Sequence, residues 1–232
     1  MIIIEGVKKL AGAEFTIMPD RNEEMTFAIA AAITGGRIIA HNSAQKYMDN
    51  FLRYFTLSGG RATPIGEDSV KYEQVGPIKP TDIVTGSHPG FMTDWQAPWA
   101  VYMTQATGVS TLHETVFESR FSYVSQLIKM GAKIEFYDPP VTNPGEFYNF
   151  NWEDRVTDCH QAIRIMGPTK LHNAVLEMND LRAGATLLLA ALIAEGESYI
   201  HGVEQVDRGY EHIEKRLSHL GAQITRVKKE VA

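Results

Sequence analysis

Three stretches of the chain are apolar at most positions over about three helical turns, and each stops at glycine. They are "FAIAAAITGG" (27–36), "APWAVYMTQATG" (97–108) and "AGATLLLAALIAEG" (183–196). A helix with no polar face has to be buried all round, so the pattern predicts three inner helices. Each is followed by a short run of strand formers ("GRIIAHN", "GVSTLHE", "GESYIHGV"). An amphipathic helix comes next, ending at another glycine in "LSGG", "KMGA" and "HLGA". Last in each unit is a further strand, "RATPI", "KIEFY" and "QITRV". The chain therefore reads as one plan written three times.

The glycines set the register. Gly36, Gly108 and Gly196 close the first helices at intervals of 72 and 88 residues. Gly60, Gly131 and Gly221 close the second at 71 and 90. Two independent landmarks give nearly the same pair of intervals. The surplus in the longer interval falls in "DPPVTNPGEFYNFNWEDRVTDCHQ" (138–161). Residues 1–232 are expected to form a single α/β domain with an insertion at about 138–161, a surface loop or hairpin. Sheets should wrap around a central helical layer. The second helix of each unit carries a polar face, with Lys129, Glu214, Lys215 and Arg216.

An acidic residue stands at the start of each inner helix: Asp20, Asp94 and Asp180 are read as equivalent. Each serves either as an N-cap or as part of a site. Three inner helices related by pseudo-threefold symmetry would bring their N-termini to one end of the domain. Their free N–H groups would make that end receptive to anions. Arg21 and Arg182 would add full charges there.

Composition narrows the class. At 44% hydrophobic and 22% charged, the chain has material for a substantial core. A net charge of −6 without any basic block leaves nucleic-acid binding unsupported. "MIIIEGVKKLAG" lacks the pattern of a signal peptide, and the longest apolar run is too short for a bilayer, so a soluble cytoplasmic protein is expected. Cys159 is the single cysteine and has no internal partner for a disulfide; it is read as functionally inert. "DCH" at 158–160 is too short to be a metal site, and no GxGxxG, P-loop or Ser-His-Asp pattern occurs. No cofactor and no metal are expected.

"GSHPGFMTDWQAPW", "LHETVFESRF", "NDLRAGATLLLAALIAEG" and "VDRGYEHIEKRLSHLGAQITRV" closely resemble the UDP-N-acetylglucosamine 1-carboxyvinyltransferase family of enolpyruvyl transferases. The resemblance begins at "IIIEGVKKLAGAEFTIMPDR" and runs nearly to the end, interrupted by 138–161. It implies an inside-out α/β barrel of three pseudo-symmetric units, inner helices surrounded by sheets. It also implies the second of two domains with the active site between them. The first domain's lysine, asparagine and cysteine loop are unmatched, as is an N-terminal segment that crosses over to complete this domain. The implied activity moves the enolpyruvyl group of phosphoenolpyruvate to the 3′-hydroxyl of UDP-N-acetylglucosamine in peptidoglycan synthesis, with the first domain supplied in cis or trans. A non-catalytic domain that kept the fold, or a shikimate-pathway relative, are the alternatives.

Carried over by motif, the resemblance assigns the following roles. Asp94 accepts the hydroxyl proton, Arg208 contacts phosphoenolpyruvate on closure, and Arg120 and Arg182 bind phosphate and carboxylate. Asp180 orients that cluster and takes part in proton transfer, while Val116 and Phe117 pack the uracil. Asp207 holds its loop. A helix cap for Asp94, surface salt bridges for the arginines and core packing for Val116 and Phe117 are the structural alternatives. The chain departs from the family pattern at Met92, Trp95, Pro98 and Gln205, which puts substrate fit in question.

Overall fold

The computed structural model describes residues 2–156, 159–178 and 180–227, with Arg182 described by its backbone alone. The three apolar stretches are helices: α1 (Arg21–Ile33), α3 (Thr93–Thr104) and α6 (Leu181–Ile193). Asp20 starts α1 by accepting the Asn22 and Glu23 amides on Oδ1 at 2.7 and 3.3 Å. Asp180 does the same for α6, accepting the Ala183 amide at 2.8 Å. α3 packs against both α1 and α6, which also touch each other. Trp95, near the start of α3, donates its indole N–H to Asn22 near the start of α1 at 3.0 Å. Thr93 and Gln96 of α3 line one small cleft with Asp180 and Ala183 of α6. The N-termini of the inner helices therefore lie together at one end.

Outer helices α2 (Asp49–Leu57), α4 (Val124–Lys129) and α7 (Ile213–His219) complete the three units. In the first unit β1 (Arg37–Ala40), β2 (Gly60–Ile65) and β3 (Ser69–Gln74) form an antiparallel sheet, order β1-β3-β2. The second unit repeats it with β5 (Gly108–His113), β6 (Lys133–Tyr137) and β7 (Ala162–Gly167), order β5-β7-β6. It adds β4 (Ile83–Val84), parallel to β5. In the third unit β8 (Val175–Glu177) pairs in parallel with β9 (Tyr199–His201), as β4 does with β5. Residues 138–161 connect the paired strands β6 and β7, with one helical turn, α5 (Pro144–Phe147).

α3 carries an aromatic cluster. Trp95 and Trp99 meet Phe51 of α2 edge to face, and both meet Phe91 at 5.5 and 5.4 Å between centroids. Aromatic edge-to-face pairs add specificity of orientation to apolar burial. Tyr102 closes the far end of the cluster: its hydroxyl donates to Gln74 at 2.6 Å, and burial pushes its pKa up to about 12. Pro98 sits inside α3, where it removes the N–H that would reach back to the Asp94 carbonyl.

Three sequence expectations change. The inner-helix acids are not equivalent: α3 begins after Met92, so Asp94 is its second residue and faces Arg120 instead of capping. At the 72- and 88-residue offsets Asp20 matches Met92 and Asp180, while Asp94 matches Asn22 and Arg182. The closing glycines of the first unit are Gly35 and Gly59, whose φ of 67° and 93° need the left-handed region; Gly36 and Gly60 follow them. Finally, "QITRV", residues 223–227, is not a strand. Among the described residues the third unit has no antiparallel partner to hydrogen-bond it, whereas β2 and β6 each have one.

Gly184, in the first turn of α6, packs closely against the 3₁₀ turn Val203–Arg208: a Cβ there would lie 2.5 Å from Val206 Cγ2 and 3.0 Å from Met178 Sδ. Alanine is the better helix former. Gly184→Ala should nonetheless destabilise the protein by about 1–3 kcal/mol through overpacking. Thermal unfolding checks it; a variant as stable as the parent would refute the close approach.

Candidate active site

Asp94 and Arg120 form the centre of the inner-helix end. Asp94 is presented by the first turn of α3, where free amides and the helix dipole favour negative charge. Arg120 comes from the loop after β5. Its guanidinium donates to Asp94 Oδ1 at 3.0 Å and to Thr93 Oγ1 at 3.0 Å. The two side chains are each about one-third exposed, at 32% and 33%, so both remain open to a ligand. The guanidinium also lies over the Phe117 ring at 4.9 Å. Phe117 is exposed and Val116 half-buried, so neither is a core contact.

Glu114 holds this loop. Its carboxylate is fully buried, yet it accepts four hydrogen bonds. Oε1 takes the Val116 and Phe117 amides at 2.7 and 3.0 Å. Oε2 takes Thr93 Oγ1 at 2.8 Å and Gln96 Nε2 at 3.0 Å, both from α3. Burying a charge without partners is prohibitive, and such a set of donors is what makes it tolerable. Gln96 is itself fixed by the Tyr123 hydroxyl at 2.8 Å, and burial raises the Tyr123 pKa well above its ordinary value. The motif "LHETVFESRF" contains Glu114, and "GSHPGFMTDWQAPW" contains Thr93 and Gln96, but the resemblance assigns none of the three a role. An acid at a strand end, two residues before an apolar pair, was the available signal.

Asp180 stands across the cleft from Arg120. Its Oδ1 caps α6, and its Oδ2 accepts the Ser122 hydroxyl at 2.7 Å. Arg120, Ser122, Tyr123 and Asp180 line a cleft of about 10 Å³, roughly one water in size. Arg208 ends the 3₁₀ turn packed on α6; its side chain is exposed and bonds to Gln205 at 3.4 Å. The next residue, Gly209, lies against Leu181 at the start of α6, which puts Arg208 at the same end of the domain. Asp207 turns away and binds Arg226 with both oxygens at 2.8 Å, so it anchors the turn. The Arg182 side chain lies outside the described residues. Arg21 bonds to His88 at 3.0 Å. Asp94, Arg120, Asp180, Val116 and Phe117 are therefore gathered, and Arg208 lies at the same end of the domain. Cys159 is in the inserted segment, half-buried. Among the described residues no group of three or more His, Cys, Asp or Glu could hold a metal ion. Nor is any helix long and apolar enough to cross a membrane.

Comparison with known proteins finds related chains. The family model described as EPSP synthase (3-phosphoshikimate 1-carboxyvinyltransferase) matches residues 1–217. Among curated relatives, the UDP-N-acetylglucosamine 1-carboxyvinyltransferase of Koribacter versatilis is 40% identical over 97% of this chain and 46% of its own length. That of Acidobacterium capsulatum is 38% identical over 97% of this chain and 47% of its own. The chain thus spans about half the length of the curated relatives it matches. The enolpyruvyl transferase NikO from Streptomyces tendae superposes with a TM-score of 0.74 at 26% identity, covering 91% of this chain and 45% of that one. EPSP synthase from Acinetobacter baumannii shares the fold, with a TM-score of 0.60 at 17% identity over 89% and 46%.

Glu114→Ala leaves four donors without their acceptor. Stability should fall by roughly 3–5 kcal/mol, since each unmet buried donor costs about 1–3 kcal/mol and some would recruit water. Denaturant titration measures it, and a loss below about 1 kcal/mol would mean that the carboxylate does not hold the loop.

Proposed function

We propose, from the premise that the chain belongs to the EPSP synthase family of enolpyruvyl transferases, that it supplies one half of a UDP-N-acetylglucosamine 1-carboxyvinyltransferase acting in peptidoglycan synthesis. The other half of the enzyme provides the rest of the site, and this chain is inactive without it. The observation that carries the reading is the Asp94–Arg120 pair at the first turn of α3, whose arginine lines one cleft with Asp180.

The chemistry requires the sugar 3′-hydroxyl to attack C2 of phosphoenolpyruvate while a proton reaches C3, and then phosphate to leave C2 of the tetrahedral adduct as C3 gives a proton up again. Asp94 is suited to take the hydroxyl proton, because a carboxylate can accept that hydrogen bond and then the proton as the C–O bond forms. Arg120, Arg182 and Arg208 would bind phosphate and carboxylate, where the planar guanidinium makes paired charge-assisted bonds. The inner-helix N-termini add their dipoles to that end. Asp180 keeps the cluster oriented through Ser122 and takes part in the return of the proton. Val116 and Phe117 would form the wall against which the uracil packs. Arg208, exposed on its turn, fits a group that reaches substrate when the two halves close.

The test replaces the aligned portion of the Koribacter versatilis relative with this chain and follows phosphate release from phosphoenolpyruvate. Release should depend on UDP-N-acetylglucosamine, and Asp94→Asn or Arg208→Ala should slow it by at least about a hundredfold. Full activity in both variants would remove the assigned roles. Release driven by shikimate-3-phosphate instead would move the chain to the substrate in the family model's description.

A further inference from the structure

The β2–β3 hairpin turns in three residues, Gly66 to Asp68, while its counterpart β6–β7 uses residues 138–161 for the same reversal. The short version demonstrates that the strand pairing needs none of the extra length. What the extra length touches is the loop after β5. The Asn149 amide donates to the Thr115 carbonyl at 2.8 Å, and the Val156 amide to the Glu118 carboxylate. The Ser119 amide donates to Gln161 Oε1 at 3.2 Å. Ser119 has φ 45°, a left-handed conformation that is sterically costly for any residue with a Cβ, so its geometry has to be held from outside. Gln161 does so from a site only 2% exposed, where solvent does not compete.

The segment is firm enough to act as a brace. Tyr148 is buried, stacks on Trp152 at 4.5 Å between centroids, and its hydroxyl hydrogen-bonds His113 Nε2 at 2.9 Å. The Arg155 guanidinium covers the Trp152 ring at 3.7 Å. Burial lowers the His113 pKa, against the pull of Asp138.

We propose that residues 138–161 are a positioning element for the 115–119 loop, setting where Val116 and Phe117 receive a uridine nucleotide. The inference rests on the uridine-sugar reading given above. Glu114 fixes the loop from inside and the inserted segment fixes it from outside. Arg120 also touches the Phe117 ring, but its guanidinium has its own anchors on α3, Thr93 and Asp94, which the segment does not touch. The brace therefore acts on nucleotide affinity and not on the transfer step.

Two variants test it: replacement of residues 138–161 by Gly-Glu-Asp, the turn of the β2–β3 hairpin, and Gln161→Ala, which removes one bond and leaves the segment in place. Hydrogen exchange on the 232-residue chain should quicken about tenfold at the Val116, Phe117 and Ser119 amides, with β5 unchanged. In the chimeric enzyme the KM for UDP-N-acetylglucosamine should rise about tenfold, while kcat and the KM for phosphoenolpyruvate stay within about twofold. Unchanged exchange at 116–119, exchange that rises equally in β5, or a fall in kcat at constant KM would each overturn the proposal. Exchange is read without activity, so an inactive parent chimera counts against the transferase reading alone and leaves exchange to decide this one.

Discussion

A buried carboxylate that must find donors governs the geometry of this domain. Glu114 lies where no water reaches, and its four partners come from two places: the start of α3 and the loop after β5. Satisfying it therefore locks an inner-helix N-terminus to the loop beside it. Thr93 extends the lock outward, since the hydroxyl that donates to Glu114 accepts from Arg120. Arg120 then reaches Asp94. Three links connect a buried charge to an ion pair at the surface, and the ion pair's position follows from the burial.

The first unit solves the same problem differently. Glu24, on α1, accepts the Ala44 amide at 2.6 Å, the Ser43 hydroxyl at 2.5 Å and the Tyr72 hydroxyl at 2.7 Å. At an offset of 72 residues Glu24 matches Gln96 and Ala44 matches Val116. The captured amide is the same in both units, but the acid sits on the helix in one and on the loop in the other. In the third unit the matching helix position is Gly184, and close packing of the 3₁₀ turn replaces the polar tie.

The site combines fixed and exposed groups. Asp94, Arg120 and Asp180 each have partners that define their positions, whereas Arg208 stands exposed on a turn anchored through Asp207 and Arg226. A group that finishes a site upon closure has to keep freedom until then, while groups that orient the reacting atoms must be set beforehand.

By itself, the sequence determined the three-unit plan, the inner helices and the segment that carries Asp94, Arg120, Asp180 and Arg208. Apolar runs with no polar face can only be buried, and a repeated glycine interval survives without coordinates. Only the tertiary structure decided which acids cap and which do not. A cap and a second helical residue differ by one or two positions, less than sequence periodicity resolves. Only the fold could bring Glu114 to Thr93 and Gln96, or residues 138–161 to Ser119, because those bonds join segments 18 to 42 residues apart. The strand expected at "QITRV" failed for the same reason. A strand forms where a neighbour accepts its hydrogen bonds, and pairing belongs to the assembled sheet and not to the segment.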